Sequence, residues 1–332
     1  MKFRLSHLGM LAFLLAGFPV TVNADEQKSL DVFYYALTDQ YIASFKNDID
    51  SLARKMNISL ESFDANNDSG TQELQIANTL SNNKAKIVNL VRPEITESVI
   101  ENCKKNNLRV IFFNRQPDIK LLDGYSKAWY VEGDSMLAGQ MQAEMIISYI
   151  KANPQIDRNK DGRISTIILN GPEDHQATHL RTSAVTVKLF SEYNNIDITK
   201  LFGNFDSLKA RGELENYVIN NGIDKVELII SNNDAMALGA LSVLNNEGFN
   251  TGNKKKNYIP VFGIDGVEPA IQAIKEGKLE GTLVNDTKEQ ARAILELAVA
   301  EEQDNHELGK KLNLKVWENG TVYIPYTKVI SK

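Results

Sequence analysis

A second cysteine is missing from this chain of 332 residues, so Cys103 has no partner and no intrachain disulfide can form. Stability must come from packed cores, and the length is enough for two domains of ordinary size. Cys103 falls at helical spacing with Ile95 and Val99, which predicts a buried structural thiol. Long apolar runs are scarce too. The longest, at residues 8–20, is shorter than the roughly 18 residues a membrane span needs. An excess of positive charge is also absent: 37 basic residues stand against 43 acidic ones, a net charge of -6. That balance argues against nucleic acid or anionic membranes as partners. No glycine-rich phosphate loop precedes any helix, and no matched acid–base pair or obvious nucleophile stands out, so an enzyme is not expected. His175 and His179 lie four apart, but Gln176 occupies the place where a zinc peptidase needs Glu, and no third ligand is apparent. His179 reads as a surface or groove residue.

What is present begins with an export signal. Lys2 and Arg4 precede the apolar segment, and Val22-Asn23-Ala24 supplies small residues for cleavage after Ala24. The mature chain is then expected in the periplasm, with 35 basic and 43 acidic residues and a net charge of about −8. Beyond it, short β-branched segments alternate with amphipathic ones. Strands are expected at 30–37, 58–64, 86–91, 109–114 and 128–133, with helices near 40–56, 70–83, 94–106 and 134–152. The rhythm restarts with strands at 164–171, 196–203, 225–231, 259–265 and 280–285 and helices near 175–193, 207–221, 233–248, 267–276 and 286–304. Two successive units of this kind predict an α/β fold of two doubly wound, Rossmann-like lobes. Residues 315–326 read as a β-hairpin turning on Asn319-Gly320.

Several strands end in a polar residue: Asn114, Asn233, Asp265 and Asn285. Each alone reads as a cap for the next helix. Together, in both lobes, they read as the walls of a shared ligand cleft, because open α/β sheets bind ligands beyond their strand ends. Asp206, Asp224 and Asp234 read as caps or surface charges. The stretch DRNKDGRIS (157–165) matches the first nine positions of a calcium loop, with Asp157, Asn159 and Asp161 alternating before Gly162. Position twelve, which should be a bidentate Glu, is Ile168. A calcium site and a solvated polar turn are both open at this point.

IFFN (111–114), NGPEDH (170–175), SNNDAMALGA (231–240), IPVFGID (259–265) and GTLVND (281–286) resemble the periplasmic glucose/galactose-binding proteins, in order and across the mature chain. The resemblance implies a type I periplasmic binding protein fold with a three-segment hinge. Its N-terminal lobe would comprise 25–133 plus 286–316, its C-terminal lobe 134–285 plus 317–332. It implies a monomeric receptor that closes on a monosaccharide, D-glucose or D-galactose first among them, and delivers it to an inner-membrane ABC sugar permease. A chemotaxis receptor is a further implied partner. Another hexose or pentose, or sensing without transport, is the alternative. A transcription factor of related fold would need a helix-turn-helix where the export signal stands.

Residue by residue, the resemblance puts Asp39, Asn114, His175, Arg181, Asn233, Asp265 and Asn285 on hydroxyl-binding positions and Tyr41 and Phe205 on the two faces of the sugar. Two-pronged polar groups suit adjacent hydroxyls, and flat rings suit the C–H faces of a pyranose. Two positions depart from the pattern. Ala177 replaces an Asp, for which water, Glu173 or Asp174 is the expected substitute, and Phe205 replaces a Trp. For the loop, the resemblance brings Glu227 across as the missing carboxylate. Structural Ca²⁺ would then be held by Asp157, Asn159, Asp161, the Arg163 carbonyl, Ser165 and Glu227.

Overall fold

Residues 27–253, 257–301 and 305–331 are described by a computed structural model; the expected signal peptide lies outside the described residues. In the first lobe β1 (Ser29–Tyr34), α1 (Gln40–Lys55), β2 (Ser59–Asp64), α2 (Ser69–Thr79), β3 (Ala85–Val88), α3 (Thr96–Lys105), β4 (Val110–Phe113), α4 (Ile119–Leu122) and β5 (Ala128–Gly133) follow one another. The chain then crosses into α5 (Ser135–Ala152), β6 (Ile164–Asn170), α6 (Gln176–Glu192), β7 (Ile196–Phe202), α7 (Ser207–Asn221), β8 (Leu228–Ser231), α8 (Asp234–Asn246), β9 (Val261–Phe262), α9 (Glu268–Lys275) and β10 (Gly281–Val284). It returns as α10 (Thr287–Val299), α11 (Asn305–Leu312) and β11 (Thr321–Ile324), and ends in β12 (Thr327–Ile330).

Helix and strand alternate because the apolar pattern alternates. In α1, Ile42, Phe45 and Ile49 recur on one face and are fully buried, and each contributes about 2 kcal/mol of apolar burial. Asp39 starts this helix by accepting the N–H groups of Tyr41 and Ile42 at 2.8 and 3.1 Å. Strand β1 is buried on both faces. Val32 and Tyr34 pack with α1 and α10, and Phe33 packs with α3 on the opposite side. Cys103 sits in that second cluster, and burial pushes its thiol up to about 12.

The two sheets have the same order, β2-β1-β3-β4-β5 and β7-β6-β8-β9-β10, each parallel. Each then gains one strand from the C-terminal segment. Strand β11 joins β5 in parallel and β12 joins β10 antiparallel. The expected hairpin is therefore a turn with a single bridge, Val316 to Val322, closed by the Gly320 N–H on the Trp317 carbonyl at 2.8 Å. Val322 and Ile324 are buried in the first lobe's core, so the outgoing arm completes that sheet instead of folding back. This corrects the third lobe boundary. The crossing falls between β11 and β12, at Pro325-Tyr326, not at residue 316. After β5 the chain enters α5, which packs on α6 of the second lobe, and after β10 it enters α10, which packs on α1 of the first.

Candidate functional site

Seven of the nine residues assigned to the cleft lie beyond a strand's carboxyl end, and the other two, Tyr41 and Arg181, lie within α1 and α6. Asp39 follows β1, Asn114 β4, His175 β6, Phe205 β7, Asn233 β8, Asp265 β9 and Asn285 β10. Of the four strand-end residues that also read as caps only Asn233 caps a helix, and Asp39 and His175 are caps that reading did not include. Asp39, His175 and Asn233 accept helix N–H groups of α1, α6 and α8. Capping fixes these side chains without using all their polar capacity. His175 is an instance: Nδ1 accepts the Ala177 N–H at 3.2 Å, which leaves Nε2 to carry the proton as a donor. Burial, and then the nearby charges of Arg115 and Arg181, hold this imidazole down to about 3, so it is neutral in ordinary conditions.

Between the lobes lies a cavity of about 180 Å³, walled by Asn114, Arg115, Tyr130, Glu132, His175 and Ala177 among others. Arg115 is held by stacking at 4.1 Å over the Tyr35 ring and by donating to the Val91 carbonyl. Behind the cavity, Arg181 anchors a buried cluster. Its Nη1 donates to the Asn232 carbonyl at 2.7 Å, its Nη2 to the Tyr326 hydroxyl at 3.1 Å, and Asp265 Oδ1 lies 3.9 Å away. Tyr41 accepts from Asn285 Nδ2 at 3.0 Å, which ties the first lobe to the second crossing. Burial raises Asp265 to about 7, with Arg181 opposing and Asp39 adding to the rise.

Phe205 stands against His175, ring edge to face at 5.2 Å. Its φ of 62° is unusual for a bulky residue. The Asn233 amide donates to the Phe205 carbonyl at 3.3 Å, and Gly171 leaves room for the ring where any Cβ would overlap it. Strain of about 1–3 kcal/mol is thus held in place at Phe205.

Sequence reasoning missed two residues. Glu132 ends the apolar strand β5 and is 6% exposed, and a charged residue closing a buried strand was the available signal. Asp234 is not the cap or surface charge expected. It is fully buried and accepts from Gly266 N (2.7 Å), Val267 N (3.0 Å) and Thr282 Oγ1 (2.7 Å). Those bonds hold the turn that gives Asp265 its φ of 125°. Of the expected substitutes at Ala177, both exposed, Asp174 lines the interlobe cavity and Glu173 lines a groove on the second lobe. Asp206 does cap α7, and His179 is exposed, lining a groove on the second lobe.

Known proteins bear on this geometry. A family model described as the periplasmic binding protein domain matches residues 30–305. The chain is a periplasmic binding protein. It is 32% identical over 329 residues to the D-galactose/methyl-galactoside binding periplasmic protein of Haemophilus influenzae, covering 97% of this chain and 95% of that one. The solved structures similar to it include an ABC transporter periplasmic solute binding protein from Actinobacillus succinogenes with bound D-allose. That one has a TM-score of 0.73, 21% identity, and coverage of 91% of this chain and 97% of that one. Another is an ABC transporter solute binding protein from Bacillus halodurans with bound myo-inositol. Its TM-score is 0.71, its identity 24%, and its coverage 92% and 94%. At such identities the two structures speak for the fold, which agrees with the two doubly wound lobes described above. Among the described residues of this binding protein no helix is long and apolar enough to cross a membrane.

The loop at 157–165 lies at the other end of β6 from His175. Asp157 accepts the N–H groups of Asp161 and Gly162 at 3.1 and 2.9 Å, Asn159 that of Asp161 at 2.8 Å, and Asp161 that of Arg163 at 3.0 Å. Glu227 does reach across. It is buried, with Oε1 accepting from Arg158 N at 2.6 Å and Asn159 N at 3.1 Å and Oε2 from Ser165 N at 2.9 Å. Among the described residues no three His, Cys, Asp or Glu side chains are gathered at one point as a metal site. A carboxylate oxygen can accept more than one bond, so Asp157 and Glu227 keep lone pairs beyond these N–H groups, while Asp161 also pairs with Lys225 Nζ at 3.3 Å. The Arg163 side chain turns outward to pair with Asp197.

Proposed function

We propose that this periplasmic binding protein captures a monosaccharide, D-galactose or D-glucose, between its lobes and delivers it to an ABC permease. The observation that carries the reading is the interlobe cavity itself. Asn114 of one lobe and His175 of the other line it, with the Arg181–Asp265 cluster behind. Asn, Asp and Arg offer paired donors or acceptors to vicinal hydroxyls, neutral His175 offers one N–H, and Phe205 and Tyr41 offer flat apolar faces. Contacts from both lobes would favour the closed form over the open one, which is how binding becomes a signal to a partner. The 32% identity to a galactoside-binding relative supports the choice of sugar. Isothermal titration with D-galactose and D-glucose should give one site per chain. Asp265→Ala should weaken that binding by about 2 kcal/mol or more while the protein stays folded, since a charged hydrogen-bond partner is lost. Heat-silent titrations with both sugars refute the assigned ligand.

The reading extends to a structural Ca²⁺ at the 157–165 loop. Asp157, Asn159 and Asp161 would supply side-chain oxygens, Arg163 its carbonyl, Glu227 a bidentate carboxylate, and Ser165 a hydroxyl directly or through water. That set meets the 6–8 oxygens calcium takes. The ion would add a fixed charge that ties the loop to β8. A chelator should then lower the unfolding temperature, by the equivalent of about 2.7 kcal/mol if calcium was present at 100 times its Kd. Unchanged calcium affinity in Glu227→Gln removes this part of the proposal.

A further inference from the structure

Glu132 is a carboxylate without a full set of partners in a place where that is costly. It closes β5 at the first crossing between lobes, and only 6% of it is exposed. Its Oε2 is buried and has no hydrogen-bond partner. An orphaned buried acceptor costs about 1–3 kcal/mol, more when charged, and such groups persist where something else engages them. Glu132 also lines the interlobe cavity, so its carboxylate stands beside a space a ligand would fill. Ala177 stands on another wall of the same cavity and brings only a methyl group.

The backbone fixes where Glu132 points. Strand β5 is held on both sides, by β4 and by β11, where Glu132 lies opposite Tyr323. Gly133 follows, and any Cβ there would overlap the Tyr326 ring, so the crossing is packed tightly around this position. The charged and titratable groups that act on Glu132 are Arg181 and Asp265 of the second lobe, Tyr41, Tyr130 and Tyr323 of the first, and Tyr326 at the third crossing. Arg181 is the one cation among them. The Asn285 amide faces Glu132 as well.

We propose that Glu132 is a ligand-binding residue, its carboxylate accepting a hydrogen bond from a hydroxyl of the bound sugar. A carboxylate then comes from β5 at the first crossing, in a cavity to which Ala177 brings none. Burial raises Glu132 to about 8, against the pull of Arg181 and Asn285 and with a smaller push from Asp265. At pH 8 the ligand-free protein therefore carries a partly protonated Glu132, while Asp265, at about 7, is already largely ionised. A sugar hydroxyl that donates to Glu132 favours the ionised form and drives the proton off.

This inference rests on the sugar-binding reading, and the test separates the two. D-galactose is titrated calorimetrically at pH 8 into wild type and Glu132→Gln, in two buffers of different ionisation enthalpy. Ligand-free unfolding temperatures are recorded in parallel. The expected result is a loss of tenfold or more in affinity for Glu132→Gln and release of a fraction of a proton by wild type that the variant lacks. The variant's unfolding temperature should stay equal to or above that of wild type. Equal affinity and equal proton release in the two proteins overturn the role of Glu132 alone, and so does a lower unfolding temperature with proton release unchanged. Should Glu132→Gln fail to fold, wild type decides: release of clearly more than about 0.1 proton, the share that Asp265 retains at pH 8, sustains the proposal, and release of no more than that ends it. If wild type binds no galactose, the sugar-binding reading falls and this inference falls with it.

Discussion

The two lobes share a strand order and differ in how they hold their share of the site. Two of the first lobe's contributions, Asp39 and Asn114, are settled locally. Asp39 is fixed by the helix it caps and by the Tyr35 hydroxyl, and Asn114 by Asn89 Nδ2 at 3.1 Å. The second lobe has caps of the same local kind in His175 and Asn233, but its Asp265 is set against Arg181, a buried cation whose acidic neighbours lie outside its own helix. Desolvation disfavours its charge, and Tyr326, Asp265 and Glu132 together outweigh that. Glu132 comes from the first lobe and Tyr326 from the hinge. A site shared between lobes can thus be made of parts that stand alone and parts that need both lobes present, and only the second kind couples sugar contact to lobe geometry.

The largest effect expected from this contrast is that of Arg181→Met. It removes the only cation of the hinge cluster and leaves Glu132 and Asp265 buried without it, at a cost of about 3–5 kcal/mol. Thermal unfolding near pH 8 should register the loss and sugar binding should be abolished. An unfolding temperature close to wild type would mean the cluster is far wetter than its burial implies.

A smaller effect follows from titration. Glu132 and Asp265 are raised from 4.5 and 3.8 to about 8 and about 7, so the folded protein keeps protons that the unfolded chain releases. The stability they contribute is complete below the unfolded values and is lost as pH rises through the folded ones. His175 acts in the opposite sense. It is lowered from 6.5 to about 3, so below 6.5 the unfolded chain gains a proton the folded one refuses, and stability rises with pH there. The clean window is pH 6.5–8. There the ligand-free protein should lose stability as pH rises, and Glu132→Gln should flatten the slope. A slope of the opposite sign in denaturant titrations contradicts the buried, protonated cluster.

The fold was legible because its signal is periodic. Ile42, Phe45 and Ile49 announce α1, and the doubled strand–helix rhythm announces two lobes. The exception was β11. A hairpin signal at Asn319-Gly320 depends only on local turn chemistry, whereas pairing with β5 depends on an unfilled sheet edge and a place for Val322 and Ile324 in a core assembled nearly 200 residues earlier. The site was legible where polar residues follow strands. It was not legible at Asp234 and Glu132. Both are acids whose meaning comes from long-range partners, the Gly266 turn for one and the cavity wall for the other. Glu227 fell between these cases. No spacing from Asp157 finds it, since it reaches the loop through the β6–β8 pairing.

The smallest stability effect expected is that of Asp39→Asn, and for that reason it tests the contrast most sharply. Asn caps a helix about as well as Asp, so α1 keeps its first-turn acceptor and stability should change by no more than about 0.5 kcal/mol. The negative charge that helps raise Asp265 disappears, so Asp265 should titrate lower than in wild type. Sugar affinity should fall, because a neutral amide oxygen is a weaker acceptor than a carboxylate. A first-lobe residue would then affect binding without affecting folding, whereas Arg181 in the second affects both. Calorimetry and thermal unfolding on the same two variants decide it. If Asp39→Asn costs as much stability as Arg181→Met, the first lobe's share of the site is not locally settled, and the division between the lobes drawn above is wrong.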